Sequence, residues 1–147
     1  MDAFDADVLI YAAVPSHPLG RRVAALFRRA GAAGVGSVLL LPEVLSKPLR
    51  DGTADEVRVL AVLLGRLDLR PVDRATAELA TALSSRYRLR AADATHLATA
   101  VGMGADRFIT NNKRDFGTSI TEIDIIHPDE LPDHDAPDDS DVPSVPS

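Results

Sequence analysis

Short strand-like segments alternate with longer helical segments along the first 126 residues, and no other feature limits the fold as strongly. In the helical segments apolar residues recur every three or four positions, whereas the strand-like segments are short and mostly apolar. Strands that are joined through helices pair in parallel, with right-handed crossovers. The sequence therefore predicts an α/β fold with a central, mostly parallel sheet flanked by helices. Strands are predicted at residues 2–5, 34–38, 69–72, 107–110 and 123–126, and helices at residues 7–13, 19–30, 39–50, 55–67, 73–87 and 91–103.

Residues 128–147 differ in composition from the rest of the chain. They contain seven acids, no Lys or Arg, and many Pro and Ser residues, which is typical of a disordered tail. We therefore predict a folded domain at residues 1–127 and an acidic, Pro/Ser-rich disordered tail at residues 128–147. The predicted domain has 15 acids against 16 basic residues, so the net charge of −6 comes from the tail. An anionic partner such as RNA is not repelled by such a domain.

The composition also excludes several kinds of site. The chain has no Cys, which excludes disulfides, thiolate metal sites and a thiol nucleophile. Its four His residues lack the spacing of a histidine zinc site. No apolar run approaches the roughly 20 residues that span a bilayer, and the acidic N-terminus does not have the pattern of a signal peptide. We therefore expect a cytoplasmic protein without a membrane partner.

Two acids, Asp5 and Asp7, follow the first predicted strand. In parallel α/β sheets, ligands bind beyond the carboxyl ends of the strands, and carboxylates there are good ligands for Mg²⁺ or Mn²⁺. An acid at this position can instead cap the helix that follows. From the residues alone both roles stay open for Asp5, whereas we expect Asp7 to be the cap.

Glu43 and Asp93 are isolated acids in apolar surroundings. A buried carboxylate without a partner is costly, so each is expected to face a cleft or to be compensated. Both also lie in the first turn of a predicted helix, where the helix dipole favours an acid whatever its function. His96 shares a helix face with Asp93, and we expect a local hydrogen bond for it rather than a role as catalytic base.

A polar turn, Thr110-Asn-Asn-Lys-Arg-Asp115, follows the fourth predicted strand. It is either a well-capped turn or one wall of a site. In the second interpretation Asn112 or Asp115 lies near a metal ion, and Lys113 or Arg114 lies near phosphate. The other basic residues that we consider for contacts with an RNA backbone are Arg86, Arg88 and Arg90.

Four motifs together resemble the PIN-domain ribonucleases, in particular the VapC toxins of bacterial toxin–antitoxin pairs. The motifs are Phe4-Asp-Ala-Asp-Val-Leu-Ile-Tyr, Pro42-Glu-Val-Leu, Ala92-Asp-Ala-Thr-His-Leu-Ala-Thr-Ala and Arg107-Phe-Ile-Thr-Asn-Asn-Lys-Arg-Asp-Phe. The third match is the most specific, and the similarity covers roughly residues 1–126. It implies a PIN-like three-layer fold and a nuclease domain at residues 1–127 that cleaves RNA with Mg²⁺ or Mn²⁺. It also implies that the catalytic acids that bind the metal are Asp5, Glu43 and Asp93.

The fourth motif departs from the family, which usually has an acid at the position of Asn112. Asp115 is the nearest acid to that position, so the number of metal ions that bind stays open. We count both Asn112 and Asp115 as catalytic residues. The residues assigned to substrate binding are Asp7, Thr110, Lys113 and Arg114.

The resemblance also implies partners, and it leaves two alternatives open. The implied partners are an RNA substrate and a cognate antitoxin protein, and members of the family often form homodimers. One alternative is a catalytically weakened member that binds RNA or a protein, because Asn112 adds no charge. The other is a haloacid-dehalogenase-type phosphatase, whose opening motif is similar to Asp5-Ala-Asp7. That family needs a later pair of acids, and Asp138-Asp139 lies in the predicted tail.

Overall fold

The computed structural model describes residues 1–134, and a sheet of five strands lies at its centre. The order of the strands is β3-β2-β1-β4-β5, and all four neighbouring pairs are parallel. The predicted α/β fold is therefore confirmed. The strand order changes direction between β1 and β4, so residues that follow these two strands lie at the switch point of the sheet. The strands are β1 (Asp2–Phe4), β2 (Gly34–Ser37), β3 (Leu67–Arg70), β4 (Arg107–Ile109) and β5 (Asp124–Ile126).

All six predicted helices form. Asp73 caps α5 as the sequence indicates, because its Oδ1 accepts a hydrogen bond of 2.8 Å from Thr76 N. Helix α2 ends four residues before the predicted position, since Phe27 turns into the core and packs 4.9 Å from the ring of Phe4. The helices are α1 (Ala6–Ala12), α2 (Pro18–Leu26), α3 (Leu40–Asp51), α4 (Ala54–Gly65), α5 (Arg74–Tyr87) and α6 (Ala91–Gly102).

The third strand was predicted two residues too late. It begins at Leu67, which is buried and pairs with Gly34 of β2. It ends at Arg70, because Pro71 has no N–H with which to extend the ladder. The preceding helix therefore stops at Gly65 instead of residue 67.

Two apolar cores lie on opposite faces of the sheet and give the fold three layers. Side chains alternate between the faces along a strand. Phe4 and Ile109 enter the core beneath helices α1 to α4, whereas Ala3 and Phe108 enter the core beneath α5 and α6. None of the helices within residues 1–134 has the length and apolar character needed to cross a membrane.

The tail does not begin at residue 128 as predicted. Residues 128–130 form a 3₁₀ turn, and Leu131 enters the core beside α2 with only 3% of its surface exposed. Arg22 Nη1 donates to the carbonyl oxygens of Asp129 and Leu131 at 2.8 and 3.1 Å. The prediction was wrong for residues 128–131, because one buried leucine among prolines and acids leaves no periodic pattern. Residues 135–147 of the predicted tail lie outside the described residues.

Candidate active site

Asp5 lies at the carboxyl end of β1 and is held in place by two hydrogen bonds. Its Oδ1 accepts from Ala6 N and its Oδ2 accepts from Thr110 Oγ1, both at 2.8 Å. Asp5, rather than Asp7, is thus the cap of α1, and the expectation for Asp7 was wrong. Only 5% of Asp5 is exposed, and this burial raises the pKa of its carboxyl although His96 and the two hydrogen bonds oppose the shift.

Asp7 occupies the first turn of α1 and faces the loop after β4. Its Oδ2 accepts a hydrogen bond of 3.1 Å from Asn111 N. Its Oδ1 is buried without a hydrogen-bond partner among the described residues. Burial, followed by the charge of Asp5, raises the pKa of Asp7 from 3.8 to about 7. An unsatisfied buried carboxylate oxygen is unfavourable unless a proton or a cation compensates it.

Glu43 and His96 lie together, on the first turn of α3 and the second turn of α6. The side chain of His96 is only 1% exposed, and its Nε2 lies 3.1 Å from Glu43 Oε1 without the alignment of a hydrogen bond. Burial lowers the pKa of His96, but Glu43, Asp5 and Asp93 together outweigh burial, so that the pKa is raised. The raised pKa favours the charged imidazole beside these acids, and its partner is the distant Glu43 instead of the local hydrogen bond that we expected.

Asp93 is half-buried in the first turn of α6 and faces acids from three other elements. Burial, and then the charges of Asp5 and Asp115, raise its pKa, and Glu43 adds a smaller contribution of the same sign. Such mutual repulsion requires that the carboxylates lie near one another. The structure therefore brings together, at one edge of the sheet, the acids that we call the acid cluster: Asp5, Asp7, Glu43, Asp93 and Asp115.

The loop after β4 organises one side of the acid cluster. Thr110 is fully buried, and its Oγ1 donates to Asp5 and accepts from Asn112 N at 3.1 Å. Asn112 Nδ2 donates to Asp115 Oδ2 at 3.0 Å, and Asn112 Oδ1 accepts from Asp115 N at 3.2 Å. Both polar atoms of the Asn112 amide thus hold Asp115 in position, which makes Asn112 a positioning residue in this conformation.

The two basic residues of this loop differ in their surroundings. Lys113 Nζ lies 2.6 Å from Asp129 Oδ2, so part of the supposed tail already neutralises it. Arg114 is exposed and has no ion-pair partner within the described residues. Of the two predicted phosphate contacts, only Arg114 is therefore available without breaking an existing interaction.

The acids share a neighbourhood but do not converge on one point. Within residues 1–134, no three acidic or histidine side chains surround a common position closely enough to hold an ion. Glu43 is drawn toward His96 and Asp115 toward Asn112, and like charges move apart. The donors are nonetheless oxygen atoms, which suit a hard ion such as Mg²⁺ or Mn²⁺, and the unpartnered Oδ1 of Asp7 fits a cation. The donor types, rather than their present positions, therefore fit a divalent ion.

Sequence similarity assigns the family of this chain. Residues 3–117 match the family model described as the PIN domain. The chain belongs to the PIN domain family. The family resemblance of the four motifs is thereby confirmed, and the haloacid-dehalogenase alternative is wrong. A comparison with curated proteins gives no match.

Solved structures with the same fold include parts of three complexes. A toxin–antitoxin complex from Klebsiella pneumoniae has 23% identity and a TM-score of 0.69, with 87% of this chain and 98% of that chain covered. VapBC2 from Rickettsia felis, bound to a DNA fragment from its promoter, has 14% identity and a TM-score of 0.67, with 86% and 97% covered. FitAB bound to an IR36 DNA fragment has 18% identity and a TM-score of 0.65, with 91% and 99% covered. At these identities the likeness establishes a shared PIN fold.

Proposed function

We propose that this chain is a Mg²⁺- or Mn²⁺-dependent ribonuclease and the toxin of a type II toxin–antitoxin pair. The observation that carries the proposal is the acid cluster at the switch point of the sheet. Burial and mutual repulsion raise the pKa values of Asp5, Asp7 and Asp93, and His96 is the nearby cation that opposes the shift in Asp5 and Asp93. Perturbed groups that are collected in this way are typical of functional sites.

In this proposal Asp5, Glu43 and Asp93 hold the metal, and Asp115 provides the fourth acidic corner. A divalent ion at this site supplies Lewis-acid activation of water and neutralises charge at the scissile phosphate. Thr110 fixes the orientation of Asp5, and Asn112 fixes that of Asp115. Glu43 would hold the metal with a carboxylate that lies 3.1 Å from His96 Nε2 in this structure.

The toxin role and the antitoxin partner are supported by fold similarity. Two of the similar structures are described as toxin–antitoxin or VapBC complexes, and the chain covers at least 97% of each of those chains. RNA as the substrate is supported by the near-neutral charge of residues 1–127 and by unpaired arginines beside the acid cluster. A homodimer stays a prediction.

A cleavage assay tests the enzymatic part of the proposal. The parent chain is expected to cleave a single-stranded RNA in the presence of Mg²⁺ or Mn²⁺, and cleavage is expected to stop when EDTA removes the metal. Asp93→Asn is expected to lower the rate about a hundredfold or more, because it removes charge from the metal site without changing side-chain shape. Asp124→Asn is the matched control, since Asp124 is exposed on β5 outside the acid cluster. Cleavage that persists in EDTA, or an Asp93→Asn variant as fast as the parent, contradicts the proposal.

A catalytically weakened binding module is the second candidate, favoured by the amide at position 112. Both polar atoms of that amide are engaged with Asp115, so they add neither charge nor a free ligand to the site. RNA binding by the parent chain without any cleavage in excess Mn²⁺ supports this candidate over the first.

A further inference from the structure

Five arginines in the described part of the chain have no ion pair or hydrogen bond through their guanidinium groups. Other basic residues near the acid cluster are already engaged. Arg86 donates to Glu122 at 3.1 Å, and Lys113 lies 2.6 Å from Asp129. The unpaired cations are therefore a small subset of the 16 basic residues in the chain. They are Arg28, Arg29, Arg88, Arg90 and Arg114.

Three of these arginines lie on the two loops that border the acid cluster. Arg88 and Arg90 belong to the turn between α5 and α6, directly before the helical turn that carries Asp93. Arg114 lies on the loop after β4 and precedes Asp115. Helix α6 packs against β4 and is joined to the start of that strand by a short loop, so the beginning of α6 lies at the carboxyl end of β4, beside the loop that carries Arg114. We call Arg88, Arg90 and Arg114 the arginine rim.

The backbone of the turn between α5 and α6 is anchored to the domain. Leu89 is buried between the two exposed arginines, and Ser84 Oγ donates a hydrogen bond of 2.6 Å to the carbonyl oxygen of Leu89. This anchor holds the backbone while Arg88 and Arg90 project into solvent. Binding of an anion then has to order the two side chains but not the backbone of the turn.

The residues of this turn are not those that local stability favours. Arg88 has φ 56°, in the left-handed region where Gly is preferred. Arg90 is the N-cap residue of α6, but its side chain makes no capping hydrogen bond. Its positive charge at the N-terminus of the helix is also unfavourable to the helix dipole. The dipole at the C-terminus of α5 favours a cation at position 88. It does not favour Arg over Gly in a left-handed backbone conformation. Local choices of this kind that reduce stability point to a function.

We infer that the arginine rim binds phosphates of a single-stranded RNA on the side of the cluster formed by Asp93 and Asp115, and that Arg86 and Lys113 do not. The inference rests on the proposed function, because it assigns the substrate contacts of that same site. The guanidinium group is suited to this role, since it remains charged and offers several donors to phosphate oxygens. The rim also explains how an acidic site can attract a polyanion from one side.

The test compares rim variants with a control that removes equally unpaired arginines. The rim variants are Arg114→Ala and the double variant Arg88→Gly with Arg90→Ser. The control is the double variant Arg28→Ala with Arg29→Ala, because those residues lie before β2 at the opposite end of the sheet. Binding of a labelled single-stranded RNA is measured in EDTA at several salt concentrations, cleavage is measured in Mn²⁺, and thermal unfolding is measured for every variant.

Loss of each rim arginine is expected to weaken RNA binding about three- to tenfold and to reduce the salt slope by about 0.7. The control variant is expected to bind like the parent. Arg88→Gly with Arg90→Ser is expected to unfold at an equal or higher temperature than the parent, because both replacements suit the turn. A purely structural role for these arginines predicts the opposite, a lower unfolding temperature without a change in salt slope.

Two outcomes overturn the inference. One is RNA binding by all rim variants with the affinity and salt slope of the parent. The other is that the rim variants no longer bind poly-L-glutamate but bind RNA like the parent. That outcome would mean that the rim binds an acidic protein segment instead of RNA. Failure of the proposed function is distinguishable from both, because it is seen in the parent chain as an absence of metal-dependent cleavage.

Discussion

The two ends of the strand pair β1 and β4 hold acids in opposite electrostatic surroundings. At the amino end, Asp2 accepts hydrogen bonds from Nε and Nη2 of Arg107 at 2.8 and 2.9 Å, and the N-terminal amine pairs with Asp106. At the carboxyl end, Asp5 is similarly buried but receives only neutral hydrogen bonds, from Ala6 and Thr110. Only His96 brings positive charge near it among the described residues.

The difference separates stability from function within one pair of strands. A buried carboxylate that pairs with a guanidinium in two-point geometry holds strands together and needs nothing further. Several carboxylates that share one counter-charge destabilise the fold until a cation is added. The amino end therefore serves the fold, and the carboxyl end is suited to a divalent ion. The predictions that follow test whether the two ends separate in this way.

The largest expected effect is stabilisation of the carboxyl end by metal. At a free Mn²⁺ concentration of about 100 times the dissociation constant, bound metal stabilises the folded state by about 2.7 kcal/mol. The parent chain and Asp2→Asn are expected to show the same rise in unfolding temperature with Mn²⁺, measured by differential scanning fluorimetry. Asp5→Asn is expected to lose most of this rise. An equal rise in Asp5→Asn would place the metal elsewhere in the chain.

The amino end should respond through stability alone. Asp2→Asn is expected to lower the free energy of unfolding by about 2 kcal/mol, because it leaves the partly buried Arg107 without its counter-charge. Urea denaturation at neutral pH measures the change, and the RNA-cleavage rate per folded molecule is expected to match that of the parent. A variant that keeps its stability but loses cleavage would contradict the separation of the two ends.

Sequence patterns predicted the local part of this arrangement well. The order of helices and strands follows from apolar spacing over a few residues, and Asp93 and His96 were correctly assigned to one helix face. The strand at β3 was misplaced because Leu67 fits the end of a helix as well as the start of a strand. Local spacing does not distinguish the two, and the pairing with Gly34 does.

Contacts between residues distant in sequence were the ones that could not be predicted. The hydrogen bond from Thr110 to Asp5 spans 105 residues, and that from Arg22 to the carbonyl of Leu131 spans 109. Asp5 and Thr110 each lie in a motif that the sequence singles out, but nothing in the sequence pairs them, and Arg22 and Leu131 have no sequence signal at all. The same limit applies to His96, whose position beside Glu43 depends on where the sheet places α3 and α6, which cover its opposite faces.

Asp7 should give the carboxyl end a characteristic dependence on pH. Its pKa is 3.8 before folding and about 7 in the folded chain. The folded state thus holds the proton more tightly, so stability is greatest below pH 4 for this group and is lost as the pH rises through about 7. Asp5 and Asp93 have raised pKa values as well, and they contribute in the same direction.

Asp7→Asn should remove this loss, because an amide keeps the hydrogen bond from Asn111 without carrying charge. Without metal, the variant is expected to be about 1–2 kcal/mol more stable than the parent at pH 8, and equal to it near pH 4. The expected gain in the free energy of unfolding is smaller than the pKa shift of Asp7 alone would give, because the Asp7 side chain is only partly buried. Urea denaturation at several pH values measures it, and a gain that does not vary with pH would rule out charge as its cause.

The smallest expected effect concerns the hydrogen bond from the Thr110 hydroxyl to Asp5, which stands where Asp2 has a bond from an arginine. Thr110→Val keeps the shape of the buried side chain but removes the hydroxyl that donates to Asp5 and accepts from Asn112 N. Loss of the donor should raise the pKa of Asp5 further and weaken Mn²⁺ binding about five- to tenfold, which corresponds to about 1 kcal/mol. Titration calorimetry with Mn²⁺ measures the change, and Thr110→Ser is the matched control that restores the hydroxyl. Equal Mn²⁺ affinity in Thr110→Val and in the parent would mean that the backbone bond from Ala6 alone orients Asp5. The carboxyl end would then differ from the amino end only in that it lacks an arginine.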